Sequence, residues 1–220
     1  MENKDYLPRI IDKRLEDYLE TFGAVNLVGA KWTGKSWTAA VHAASAIYIA
    51  DPEGGFNNRK LAQMDPSAVL PGERPRLIDE WKEVPPIWDA VRFEVDKSPE
   101  KGKYILTGSA TPCTKGIMHS GAGRFGTLRM RPMSLYKSGR SSGVVSLRDI
   151  CSGKMETRTI TQPGLDEIID AVIRGGWPAN QECPLERAAL MPQSYISTVL
   201  ESDINEIDEK SRDITKVRRS

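Results

Sequence analysis

A chain of 220 residues with 39% hydrophobic and 28% charged side chains has the composition of a globular protein with a substantial core. Its 31 Lys and Arg offset 30 Asp and Glu to leave a net charge of +1, so bulk charge argues for neither nucleic acid, membrane nor acidic substrate, and any basic patch has to be local. Cys113, Cys151 and Cys183 are far apart and form no C-x-x-C pair, and His42 and His119 are the only histidines, which argues against a disulfide framework, a zinc knuckle and a histidine-built metal site. The N-terminus, MENKDYLPRI, lacks the apolar core of a signal peptide, and no apolar run reaches the length of a bilayer span. The expectation is a reduced, cytoplasmic protein.

In PRIIDKRLEDYLETFG, the residues Ile10, Ile11, Leu15, Tyr18, Leu19 and Phe22 recur at helical spacing, and Gly23 stops the run. AVNLV, residues 24–28, reads as a strand; GAKWTGKS, residues 29–36, follows it, and an alanine-rich helix is expected over 36–44. SAIYIAD, 45–51, reads as a second strand ended by Pro52, Gly54 and Gly55. Residues 56–74 are polar, with at most a short helix near 60–64. PRLIDEW, 75–81, is a short apolar strand ending in two acids, and PPIWDAVRFEVDK then places Ile87, Trp88, Val91 and Val95 on one helical face behind Pro85 and Pro86. KYILTGSATP, 103–112, and GTLRMRPMSL, 126–135, supply a fourth and a fifth strand. Strands alternating with helices predict a parallel sheet covered on both faces.

From Lys137 the texture changes. KSGRSSGVVS reads as a linker or hairpin, and GLDEIIDAVIRGGWP as a helix through Leu165, Ile168, Ile169, Val172 and Ile173, closed by Gly175 and Gly176. PLERAALMPQSYISTVLESDI predicts one or two further helices. The charged end DEKSRDITKVRRS carries Lys210, Arg212, Lys216, Arg218 and Arg219, read as a solvated tail in preference to a nucleic-acid contact.

The chemistry concentrates in Gly29-x-x-x-x-Gly34-Lys35-Ser36, a phosphate-loop pattern set between a strand and a helix. Gly29 and Gly34 let the backbone of Ala30, Lys31, Trp32 and Thr33 curl so that amide groups face a β-phosphate. Lys35 would set its ammonium between the β- and γ-phosphates, Ser36 would offer a hydroxyl to Mg²⁺, and Trp37 opens the helix beside them. A magnesium–triphosphate also needs an acid on a neighbouring strand. Asp79 is expected on the metal, with Glu80 polarising the attacking water as general base. Thr107 and Ser109 both qualify to touch the γ-phosphate or that water, and Ser109 is preferred. Arg124, in the glycine-rich HSGAGRFG, is a candidate arginine finger or a plain salt-bridge arginine.

Trp32 is read as filling a gap beside the first helix, the alternative being packing over an adenine or a partner. Trp81, Trp88 and Trp177 are read as core or domain-contact residues, Arg129 and Arg131 as structural or surface charges, and Arg174 as a surface residue in preference to a lid arginine.

The phrases YLPRIIDKRLEDYLETFGAVNLVGAKWTGKS, PRLIDEWKEVPPIWDAVRFEVD, GKYILTGSATP, HSGAGRFGTLRMRPMSL, IRGGWP and YISTVLESDI carry a resemblance over most of the chain. It resembles the bacterial and archaeal AAA+-type ATPases in which an AAA domain precedes a DUF4143 domain. The resemblance implies an ASCE-type P-loop NTPase core, an α/β parallel sheet flanked by helices with a small, mainly helical C-terminal extension. It places the fifth strand beside the first and the fourth between first and third. It also implies ATP over GTP, no guanine-reading N-K-x-D pattern being present. Lys35, Ser36, Asp79 and Glu80 fall on the family's loop and acidic motif, and Ser109 and Arg124 on its later phrases.

The expected organisation is an AAA-type ATPase domain with its N-terminal helix over 1–136, a linker and helical lid-like region over 137–200, and the start of an incomplete DUF4143-like region over 201–220. The expected function is Mg-dependent ATP hydrolysis biasing the packing between the sheet and the C-terminal helices, and so the hold on a partner. A homo-oligomer and a DNA or protein partner enter by family analogy only. The alternatives are a nucleotide-sensing module with little turnover, a phosphotransferase to a small molecule, and a fragment that binds ATP poorly.

Overall fold

The computed structural model describes residues 6–109, 116–154 and 162–200. Cys113, Thr111 and the tail 201–220 lie outside them. The chain divides into two compact units, Met1–Arg131 and Pro132–Ser220.

The first unit is built on five strands, β1 (Ala24–Gly29), β2 (Ser45–Tyr48), β3 (Arg76–Asp79), β4 (Tyr104–Ser109) and β5 (Phe125–Met130), in the spatial order β2-β3-β4-β1-β5. Every pairing is parallel. β5 lies beside β1 and β4 between β1 and β3, as the resemblance implied. The register aligns Ala24 with Tyr104 and Phe125, and Gly29 with Ser109 and Met130, so the strands' carboxyl ends meet at one edge.

Alternation along the strands divides the core. Val25, Leu27, Leu77, Ile105 and Leu128 pack on one face with Leu15 from α1 (Asp12–Thr21) and Ala39 from α2 (Lys35–Val41). Ala24, Ile78, Tyr104 and Leu106 pack on the other against Ile87, Trp88, Val91 and Val95 of α4 (Ile87–Asp96) and Ala62 of α3 (Glu53–Met64). Trp81 and Trp88 belong to this core, their rings 5.0 Å apart, and Trp88 stacks on Phe125 at 3.9 Å.

The helix over Glu53–Met64 is longer than the short one expected near 60–64. Gly54, Gly55 and Phe56 take left-handed backbone angles, turning the chain before the regular helix begins, and buried Ala62 anchors it to the core.

The second unit contains α5 (Leu147–Cys151), α6 (Leu165–Arg174), α7 (Leu185–Ala188) and α8 (Leu190–Thr198), with no strand among its described residues. The segment 137–146 forms no hairpin there. Arg174 corrects the expectation of a surface residue. It is buried, its Nε binds both carboxylate oxygens of Asp170 at 2.8 and 3.0 Å, and its Nη1 donates to the carbonyls of Asn180, Gln181 and Cys183. The buried Asn180 amide answers by donating to the Arg174 and Ala188 carbonyls. The unit is tied by a polar knot where its apolar burial is slight.

Candidate functional site

β1 delivers Gly29 to the carboxyl edge between two neighbours, and a Cβ there would run into the Met130 carbonyl oxygen. Only a glycine lets the strand leave the sheet at this point without displacing β5. The loop then curls through Trp32 at φ 66° and Gly34 at φ 92° into α2. Thr33, fully buried, donates its hydroxyl to the Ala30 carbonyl at 2.9 Å. Lys35 is buried, 6% exposed, and its Nζ donates to the same carbonyl at 2.9 Å.

Two acids face this lysine. Asp79 closes β3 and is buried; Glu80 follows in a left-handed conformation at φ 54°, ψ 44°. Burial pushes the Glu80 carboxyl above its ordinary pKa, the Asp79 charge adds to the rise, and the Lys35 ammonium opposes it. Burial in turn lowers the pKa of Lys35, against the pull of Glu80 and Asp79. The Tyr48 phenol, at the end of the adjacent β2, is raised first by burial and then by Asp79.

Thr107, from the intervening β4, fixes the acidic pair. Its hydroxyl donates to Asp79 Oδ1 at 2.6 Å and accepts the Glu80 backbone N–H at 3.2 Å. A fully buried threonine engaged at both valences is a positioning group for the acids. Ser109 stands two residues on, opposite Gly29 at the loop's first residue, and its carbonyl accepts from Lys82 Nζ at 2.6 Å.

The remaining expectations divide. Lys31 is exposed, and its charge reaches Lys35; Ser36 and Trp37 lie in the first turn of α2. Trp32 corrects the expected burial: it is 63% exposed, because its left-handed backbone at the loop's crest turns the indole away from the core. Arg124 is corrected as a group of its own chain's site. It precedes Phe125, which pairs with Ala24 at the amino ends of the strands, while the loop begins at the other end of the six-residue β1. That is a separation of roughly 20 Å, and its guanidinium is held by Asp96 at 2.7 Å.

One contributor was missed. Arg9, buried ahead of α1, donates from Nη1 to the Thr33 carbonyl at 2.6 Å and from Nη2 to the Arg131 carbonyl at 3.0 Å. Its partners lie 24 and 122 positions away, so no local pattern marks it.

A glycine-edged loop with a buried lysine, facing an acid pair across one intervening strand, is the geometry of a phosphate-loop nucleotide site. Residues 21–138 match the AAA domain family. The chain belongs to the AAA domain family. Among solved structures it is similar to the Walker-type ATPase paby2304 of Pyrococcus abyssi, at 14% identity and a TM-score of 0.50, over 100% of this chain and 78% of that one. That likeness supports the α/β P-loop NTPase fold. No curated protein matches the sequence. AAA membership supports nucleotide binding and an ATPase-like function for this AAA protein. Among the described residues, no helix is long and apolar enough to cross a membrane.

Proposed function

We propose that the chain binds Mg-ATP on the loop 29–36 and hydrolyses it, driving a conformational change on a partner. The observation that carries this reading is the meeting of three groups: the Lys35 ammonium, and Asp79 and Glu80 coupled to it and braced by Thr107. Ser36 and Asp79 are hard oxygen donors suited to Mg²⁺. One carboxylate, one hydroxyl and the nucleotide's own oxygens would then share the ion. When bound, Mg²⁺ neutralises charge on the β- and γ-phosphates.

Lys35 leaves the Ala30 carbonyl for the phosphate oxygens, a short swing that exchanges a neutral acceptor for charged ones. Glu80, as carboxylate, takes the proton of the attacking water. The water oxygen bonds to the γ-phosphorus as the bond to the β-γ bridging oxygen breaks, and ADP departs with that electron pair. Ser109, at the loop's edge, contacts the γ-phosphate or the water. The left-handed backbone at Glu80 supports this role, because such strain gathers where a side chain has to be aimed.

Glu80→Gln is expected to keep Mg-ATP affinity within about threefold while lowering turnover by about a hundredfold or more. Turnover equal to wild type refutes Glu80 as base. Negligible turnover in both proteins, with binding intact, favours a nucleotide-sensing module. In a homo-oligomer, Arg124 is available only to a neighbouring copy's site. The partner, DNA or protein, and a DUF4143-like continuation rest on the sequence resemblance.

A further inference from the structure

The phosphate loop has to present its amides inward, and something has to hold its carbonyls outward. In a trans peptide the C=O of Thr33 and the N–H of Gly34 share one plane and point to opposite sides. A group that captures the Thr33 carbonyl therefore sets the direction of the Gly34 N–H. Arg9 captures it at 2.6 Å, by a short, charge-assisted hydrogen bond away from solvent.

The same guanidinium reaches the Arg131 carbonyl. Arg131 follows Met130, and Met130 pairs with Gly29. The two carbonyls thus belong to the neighbouring exits of β1 and β5, and Arg9 bridges them with the fixed fork of one planar group. Arg9 is itself held. Its backbone N–H donates to Asp12 Oδ2 at 2.7 Å, and Asp12 Oδ1 accepts the Tyr6 hydroxyl at 2.7 Å. The Tyr6 hydroxyl is also 3.0 Å from Thr38 Oγ1 on α2. The segment 6–12 is thereby tied to the loop through Thr33 and to the helix behind the loop through Thr38.

We infer that Arg9 is a positioning residue for nucleotide binding, fixing the peptide between Thr33 and Gly34 in its phosphate-accepting orientation and locking the loop to the exit of β5. The inference rests on the reading of 29–36 as a phosphate loop. Lysine at position 9 keeps the charge but, as a single ammonium on a flexible stem, loses the two-pronged bridge.

The test is a titration of Mg-ATP into wild type, Arg9→Lys, Arg9→Ala and Lys35→Ala, the Arg9→Ala protein being measured with and without millimolar free guanidinium. Both Arg9 variants are expected to bind Mg-ATP about tenfold or more weakly, since a buried carbonyl loses a charged donor. Guanidinium is expected to restore much of the loss in Arg9→Ala. Wild-type affinity in either Arg9 variant, or weakening that guanidinium does not relieve, overturns the inference. Lys35→Ala separates the two failures. If wild type binds no more tightly than Lys35→Ala, the phosphate-loop reading falls and this inference with it. If Lys35→Ala alone weakens binding, only the role of Arg9 falls.

Discussion

Glu80 combines two energetic costs. Its left-handed backbone is worth roughly 1–3 kcal/mol of strain, and its carboxyl is withdrawn from water beside a second carboxylate. Because its folded pKa is raised, the folded state prefers the protonated form. That preference stabilises fully below the ordinary glutamate range near about 4.3 and is lost as pH rises through the folded value. Without nucleotide, Glu80→Gln is therefore expected to melt above wild type at neutral pH, the difference closing as the pH falls into the ordinary glutamate range. Thermal scans across pH check it, and a constant difference refutes it. LIDEW displays the two acids openly, but nothing in it marks a left-handed turn, because the residue there is not glycine. Thr107 was visible as one of two hydroxyls; its engagement with Asp79 depends on β4 lying between β1 and β3. Arg9 was invisible for the same kind of reason, its partners being brought to it only by the folded sheet.

At the scale of elements, parallel register decides which groups share an edge. It gathers Gly29, Asp79 and Ser109 at the carboxyl ends and puts Arg124 at the amino ends. Arg124→Ala is expected to leave the Mg-ATP affinity of the chain within about twofold of wild type, because it removes only a half-exposed pair with Asp96 and an exposed hydrogen bond to the Ala122 carbonyl. A tenfold loss in a binding titration would contradict the register argument. The strands were legible because their apolar runs are bounded by Gly, Pro or acids, yet their ends shifted. β2 stops at Tyr48, before its apolar run through Ile49 and Ala50 is over, and β3 stops at Asp79, where Glu80 turns the chain out of the sheet. The helix Glu53–Met64 was under-read because its glycine pair looks like a stop, whereas here the pair turns the chain into the helix.

At the scale of the molecule, the two units are held by different physics. Both apolar clusters belong to the first unit, while Arg174, Asp170 and Asn180 hold the second by charged and polar bonds. Replacing Arg174 by Met leaves the Asn180, Gln181 and Cys183 carbonyls without this donor and the Asp170 charge with Arg140 at 2.5 Å. Amide exchange in α6 and α8 is expected to accelerate about tenfold or more in that variant, with β1 and β4 as protected as in wild type. Uniform acceleration across both units would refute the assignment of these bonds to the stability of the second unit. This knot was not legible, since an arginine four residues after an aspartate on an amphipathic helix reads as a surface pair until the following turn folds back over it. On the proposed reading of the curl 29–36 as the seat of the phosphates, the exposed indole of Trp32, finally, makes the protein its own optical probe: a fluorophore standing in solvent on that curl changes its surroundings when a nucleotide arrives, so occupancy is expected to show in the emission with no label attached.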